Sequence, residues 1–388
     1  MRSLLSTGRR QAASLRRLLW PPAAPRDGLG LLVYPYDANP YQEMLYGAIR
    51  ATGIDCQVVY VQRRAGLGPM PFLVQVATAR LRGYRLLHLH WPQFALHRGA
   101  RHLPRLSLLN ARLHLWWLRA LGIRLVWTVH NAVPHEAETA DDIRVSRLLA
   151  HAAAHKIVHG ENAIEELAAI GADTTHVSVI PHGAYTGSYR EADRAQSRRT
   201  LGLPAEARIV MFFGQIRPYK GVEDLVPAWD EAMSRHGGTA PFPFLLIAGR
   251  CDDDAERARI ARELDARAGR FDAGYAPHDS VPLYFAAADV VVLPFRQVTT
   301  SGSAVLALSL RRPIVAPRIG ALRDLPQDIG IFYERGDLAV ALVQALRAPA
   351  EELARQAEAA RRYADSLSGD RIAAATLGVY RQAALAGR

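Results

Sequence analysis

The chain has 388 residues, enough for two domains with full cores, and its 49% hydrophobic and 22% charged content is that of a globular protein. No apolar run of about 18 residues is present to make a transmembrane helix. The two cysteines, Cys56 and Cys251, exclude a disulfide scaffold and a cysteine zinc site and fit a reducing compartment, while a net charge of +11 points to anionic partners.

Residues 1–27 are rich in arginine, carry no acid before Asp27, and intersperse Leu4, Leu5, Leu15, Leu18, Leu19 and Trp20. Two readings stand: a disordered leader, or a basic amphipathic segment on a membrane surface. The stretch lacks the continuous apolar centre of a secretory signal.

From 28 to 183, strands and helices alternate. Strands are expected at 29–34, 57–61, 85–92, 124–129, 156–158 and 176–180, with helices at 42–52, 72–82, 106–121, 141–155 and 161–170 between them. This alternation predicts a parallel sheet, whose functional groups gather at the carboxyl ends of its strands. Those ends carry Asp37, Asn39, His90, His130, Asn131, His135 and Glu136. His90, beside Trp91 and Pro92, reads as structural or as lining of an acceptor pocket, together with Asn39 and Asn131. His130 ends the apolar run 125–129 and reads as functional.

Residues 184–204 are polar and charged and end in Gly202, Leu203 and Pro204, which marks an interdomain linker. A second alternation fills 205–370. Strands are expected at 208–213, 244–248, 271–272, 289–294, 313–316 and 331–332. Helices are expected from Val222, over 254–267, 279–288 and 304–310, and over 337–347 and 350–366. A last helix near 371–384 lies in a segment, 371–388, expected to pack back on the first domain.

Two loops of this half carry chemistry. The buried run 210–213 stops at Gly214, then offers Arg217 and Lys220 before a helix opens; free helix N–H groups beside two cations suit a phosphate. The bland alternative is a surface loop in a basic chain. At 299–303, Thr299, Thr300, Ser301, Gly302 and Ser303 sit where a strand hands over to a helix. They read as a phosphate ring at a helix N-terminus, against plain N-capping. The two loops together would cradle a diphosphate, with Arg250 at the next strand end. Asp252, Asp253 and Asp254 read as helix-capping acids, not as a metal site.

The segments 213–221 (Phe213 to Gly221), 179–183 (Val179 to Gly183), 288–294 (Ala288 to Pro294) and 313–316 (Pro313 to Ala316) resemble the GT-B glycosyltransferases, especially retaining family 4. The likeness is strongest over about 156–345. His88 to Pro92 and Trp127 to Asn131 resemble a narrower group, the GDP-mannose:glycolipid β-1,4-mannosyltransferases of xanthan-type assembly. The resemblance implies an α/β protein with two Rossmann-like domains facing each other across a cleft, the nucleotide sugar held mostly by the second. It implies diphosphate-binding roles for Arg217 and Lys220, and contact between His130 and the transferred sugar. Two departures stand out. Gln215 occupies the place where many members carry the arginine, and Val298 and Leu306 occupy the places of the paired family 4 glutamates.

The expected function is therefore transfer of a hexose, with mannose from GDP-mannose as the specific expectation, to a glycan or lipid-linked acceptor in polysaccharide or glycolipid synthesis. Gly214, Arg217, Lys220, Arg250, Thr300, Ser301, Gly302 and Ser303 would hold the donor. His130, Glu136 and Asp37 are the catalytic candidates. No cofactor, metal or nucleic acid is expected; an anionic membrane surface is, with the protein cytoplasmic and peripheral on the inner face of the plasma membrane. A nucleotide-sugar epimerase of the same shape, or a scaffold that binds nucleotide sugar without catalysis, remain open alternatives.

Overall fold

A computed structural model describes residues 20–36, 40–62, 70–92, 104–133, 140–238, 241–265 and 267–385. The chain divides into two compact units, Met1–Pro181 with Gly369–Arg388, and His182–Ser368.

The first unit is built on a six-stranded parallel sheet in the order β2-β1-β3-β4-β5-β6. Its strands are β1 (Leu29–Tyr34), β2 (Cys56–Tyr60), β3 (Leu86–Leu89), β4 (Arg124–Val129), β5 (His155–Val158) and β6 (Val177–Val179). Helices α1 (Pro40–Ala51), α2 (Met70–Leu81), α3 (Pro104–Ala120), α4 (Ala140–Ala152) and α5 (Glu161–Ala169) make the crossovers. Both faces of the sheet are covered, so the central strands are apolar throughout instead of alternating. Leu32, Leu87, Leu125 and Trp127 bury one face under Phe72, Val76, Leu118, Leu149 and Leu167 of α2 to α5. Leu31, Val33, Val126 and Ile157 bury the other face under Leu45, Tyr46 and Ile49 of α1. That second face is completed by Leu377 and Tyr380 of α13 (Gly369–Leu385), the last element of the chain. Residues 20–27, part of the stretch read as a leader, run against this unit: Ala24 N donates to Arg82 O at 2.8 Å, and the Arg82 guanidinium lies 5.6 Å from the Trp20 ring centroid.

The second unit repeats the plan with the parallel order β12-β11-β10-β7-β8-β9. The strands are β7 (Arg208–Phe213), β8 (Pro243–Gly249), β9 (Gly269–Ala273), β10 (Val290–Val292), β11 (Ile314–Pro317) and β12 (Gly330–Tyr333). The helices are α6 (Arg194–Leu201), α7 (Val222–His236), α8 (Asp254–Asp265), α9 (Val281–Ala287), α10 (Gly302–Ser309), α11 (Leu338–Arg347) and α12 (Ala350–Ser366). Phe212, Leu246, Val291 and Val315 of the sheet pack with Trp229, Leu308 and Leu342 of the helices in one core.

Two features differ from the expectation. The strand expected at 289–294 is shortened to β10, Val290–Val292. Residues 184–204, read as a linker, carry α6 and belong to the second unit. Asp193 caps this helix by accepting from Gln196 N at 2.7 Å, and Gly202 closes it in the left-handed conformation. Arg198 on α6 is 1% exposed. Its guanidinium donates to Ala287 O (3.0 Å), Ala205 O (2.6 Å) and Ala207 O (2.9 Å), and pairs with Asp289 Oδ2 at 2.9 Å. The same carboxylate oxygen accepts from Ile209 N at 2.7 Å, so one acid ties α6, β7 and the start of β10 together.

A buried ion pair is strongly destabilising to break, because the survivor keeps its desolvation cost without its partner. Arg198→Met should therefore lower the unfolding free energy by about 3 kcal/mol in chemical denaturation. An unchanged midpoint would show the pair to be dispensable.

Candidate active site

At the carboxyl ends of β7 and β8 the two backbones approach closely at paired glycines. Gly249 has φ +153°, and a Cβ there would lie 1.9 Å from Gly214 O, so no side chain fits. Gly214 itself has φ +132°. Past these glycines the two chains meet once more at Ile216 and Cys251, with Ile216 N donating to Arg250 O at 2.8 Å. A Cβ on Gly214 would lie 3.3 Å from Lys220 Nζ and 3.7 Å from Ser303 Oγ, so the basic loop and the hydroxyl loop converge on the same point.

Lys220 ends a short 3-10 turn, Pro218–Lys220, and Gly221 at φ +67° turns the chain into α7. A Cβ on Gly221 would meet Pro294 O at 1.9 Å, which fixes glycine there as well. Among the described residues the Lys220 ammonium has no carboxylate partner, and the Phe295 ring centroid lies 6.0 Å from it. Burial, and then the charge of Arg217, lower its pKa to about 8. Only two of the 48 basic residues are lysines, and the other, Lys156, is fully buried and held by Ala150 O and Asp173. Arg217 and Arg250 do have a counter-ion. Asp252 takes Arg217 at 3.3 Å and Arg250 at 2.5 Å, and also accepts from Gln215 Nε2 at 3.0 Å. Arg250 is the more exposed of the two. Asp253, by contrast, caps α8, accepting from Ala255 N and Glu256 N at 2.8 and 3.0 Å.

At the other loop the two readings of the hydroxyls divide residue by residue. Ser301 is the N-cap of α10, its Oγ accepting from Ala304 N at 3.0 Å. That fills the capping role and uses its oxygen as an acceptor. The first-turn amides of Gly302 and Ser303 have no helix carbonyl to bond. Thr300 Oγ1 is buried with no hydrogen-bond partner among the described residues. Lys220 and Ser303 converge beside the first-turn amides of α10, an arrangement suited to an anionic oxygen. Two residues outside the expected set join it: a Cβ on Gly302 would lie 3.4 Å from Tyr185 Oη and 3.8 Å from His182 Nε2. His182 stood inside the motif 179–183, but nothing local marked its direction, and Tyr185 carried no signal at all.

In the first unit the strand ends hold a cluster of histidines. His88, on β3, bonds Thr128 Oγ1 through Nε2 at 2.7 Å, and Tyr46 Oη and Tyr380 Oη through Nδ1 at 2.9 and 2.7 Å. Tyr46 Oη also bonds His90 Nε2 at 2.7 Å, and His90 Nδ1 lies 3.4 Å from His130 Nε2. Burial pushes His88 down to about 3 and His159 to about 4, and holds His90 well below the usual histidine range. His130 is half-buried. Trp91 stacks on it with centroids 4.5 Å apart at 11°, and Tyr41 meets it edge-on at 5.1 Å. His90, assigned to the acceptor side, is 1% exposed with both nitrogens engaged inside the protein. It therefore supports His130 and presents nothing to a ligand. Asn131 follows His130 and is partly buried. Asp37, Asn39, His135 and Glu136 lie outside the described residues.

Residues 207–351 match the family model described as glycosyl transferases group 1. The fold of the whole chain is similar to that of sucrose-phosphate synthase from Thermosynechococcus elongatus, with a TM-score of 0.69, 20% identity, and coverage of 92% of this chain and 98% of that one. Residues 207–351 carry the glycosyl transferases group 1 domain, and the chain has the two-unit α/β fold of GT-B glycosyltransferases. A second similar structure is Anabaena HepE in complex with UDP and glucose, at TM-score 0.66 and 17% identity over 91% of this chain and 99% of that one. In sequence, the glycosyltransferase is 28% identical over 342 residues to the GDP-mannose:glycolipid 4-beta-D-mannosyltransferase of Xanthomonas campestris pv. campestris, covering 82% of this chain and 84% of that protein. Within this glycosyltransferase, the positions of the family 4 glutamates are apolar and turned to the core: Val298 is 7% exposed, and Leu306 packs against the same cluster.

Because the chain has only two lysines, their 13Cε signals are separable by NMR. One, removed by Lys220→Ala, should titrate near pH 8. Adding inorganic pyrophosphate should raise that midpoint, since an anion favours the ammonium form. A Lys220 midpoint above 10, or one that pyrophosphate leaves unmoved, would refute the anion site.

Proposed function

We propose that this glycosyltransferase moves mannose from GDP-mannose to a lipid-linked glycan acceptor, without a metal, at the anionic inner face of the plasma membrane during polysaccharide assembly. The observation that carries the donor chemistry is Lys220, a partly desolvated cation with no carboxylate partner among the described residues, beside Ser303 and the amides that open α10. Cleavage of the anomeric bond puts negative charge on the departing diphosphate, and preorganised donors stabilise that charge where water would have to reorganise. Arg217, tethered to Asp252, adds a second positive charge that an incoming phosphate can share. The mannose donor and lipid acceptor are supported by the 28% identity to the Xanthomonas enzyme. Bound UDP in HepE supports a nucleotide as the donor's other half.

His130 is the group offered to the transferred sugar. The cluster behind it keeps His90 neutral, so no buried cation repels a developing oxocarbenium charge. An inverting course needs a base opposite the leaving group. His130, Glu136 and Asp37 are the candidates carried forward for that role. The apolar residues at 298 and 306 favour a course that does not use the family 4 glutamates, and they also support the second reading, a donor-binding subunit without catalysis.

A radiolabelled panel of GDP-mannose, UDP-glucose and UDP-N-acetylglucosamine with a membrane extract decides between them. Transfer from GDP-mannose that persists in EDTA is the expected result; neither transfer nor hydrolysis with any donor would leave the scaffold reading. Losing a charge-assisted bond to the diphosphate costs roughly 1.5–3 kcal/mol, so Lys220→Ala should weaken GDP affinity by about 10- to 100-fold in calorimetry. Below pH 8 that affinity should be flat; above it, affinity should fall as free Lys220 deprotonates. His130→Ala should instead lower kcat and leave GDP affinity within about twofold.

A further inference from the structure

Helices α2 and α3 lie side by side in one layer over the first unit's sheet. Phe72 and His114 meet between them with ring centroids 4.6 Å apart, and Trp117 Nε1 donates to Leu73 O at 2.9 Å. Their inward faces are thus satisfied. Their outward faces are not polar, as a solvated helix surface would be. On α3, Leu109, Leu113 and Trp116 are 57%, 37% and 60% exposed, at the i, i+4, i+7 spacing of a single stripe. On α2, Met70, Val74 and Leu81 are exposed as well. These two neighbouring helices carry six of the thirteen large apolar side chains exposed among the described residues. Contiguous exposed apolar surface marks a binding face.

The charge of this stretch of the chain says what binds. From Cys56 to His135 the sequence has eleven arginines and not one aspartate or glutamate. That positive charge matches the net +11 of the entire chain, so the remainder is close to neutral. Arg112 and Arg119 are exposed on α3, flanking the apolar stripe on the same outward side. No acid stands on α2 or α3 to oppose them. A protein partner's surface carries both signs of charge and would be met by both. A stripe of Leu and Trp set between arginines, without acids, complements a sheet of phosphates over hydrocarbon. No helix among the described residues is long and apolar enough to cross a membrane, so contact would be along the surface.

We infer that the outward face of α2 and α3 is a docking surface for an anionic phospholipid bilayer, with Leu109, Leu113 and Trp116 entering the interface and Arg112 and Arg119 meeting lipid phosphates. This deepens the proposed membrane location and rests on it, but not on the donor assignment.

The test is co-sedimentation of the full chain with vesicles of phosphatidylcholine alone, or mixed with roughly one third phosphatidylglycerol. Binding is expected to the anionic vesicles, to fall at about 0.5 M salt, and to shift Trp116 emission to the blue. Leu113→Asn with Trp116→Asn should reduce the partition coefficient at least about tenfold. Arg112→Gln with Arg119→Gln should reduce it roughly twentyfold, at about fivefold per arginine. These positions face solvent, so the melting temperature should not move and a folding defect is separately visible. Equal binding to both vesicle types, no binding, or unchanged binding by either double variant would overturn the inference. A concentration-dependent dimer abolished by the Leu113/Trp116 pair, without vesicle binding, would assign the face to a second copy instead. GDP affinity, measured on the same samples, reports the donor site independently: its loss with vesicle binding intact would sink the donor reading and spare this one.

Discussion

Lys220 is the constraint from which the second unit's site follows. Burial, with Arg217 nearby and no carboxylate partner among the described residues, lowers its ammonium pKa to about 8. The surrounding structure holds it there by backbone geometry. Gly249 and Gly214 let the two strand ends approach closely, and Gly221 lets the chain pass under Pro294 O to start α7. Asp252 lies close enough to engage Arg217 and Arg250 but is not paired with Lys220. Lys220, Ser303 and the amides of α10 come together at one place, an arrangement suited to an anionic oxygen.

The first unit works by the opposite device. Its strand ends bury titratable groups and keep them neutral. His88 is bonded on both sides, by Thr128 and by two tyrosines, and that leaves His90 and then His130 in fixed orientations. Trp91, stacked on His130, blocks the ring from turning. A ring is held in one orientation when its neighbours' own rotamers are locked. Tyr380 comes from the last helix of the chain, so the C-terminal segment is part of this arrangement and not an appendage.

Much of the fold was legible in the sequence. Short apolar runs at 29–34, 124–129, 208–213 and 244–248 became central parallel strands, because a strand covered on both faces has no polar side to show. The glycine stop at 214 and the cations after it were legible for the same local reason. Residues 184–204 misled, since charged residues read as solvated and Arg198 is not: its cost of burial is met by Asp289, ninety-one residues on. The row of hydroxyls at 299–303 was read as one phosphate ring, yet Ser301 caps its own helix while Thr300 is left over. Sequence spacing does not say which hydroxyl turns inward.

By itself, then, the sequence determined two parallel α/β units, the loops that carry their chemistry, and the lysine most worth attention, since these depend on hydrophobic period and turn residues a few positions apart. Only the tertiary structure decided that Ser303 and Gly214 meet over Lys220, that His90 supports His130, that Tyr380 reaches His88, and that Leu113 and Trp116 face outward. Each of those depends on contacts between residues distant in the chain, or on which side of a helix the core claims, and packing sets both.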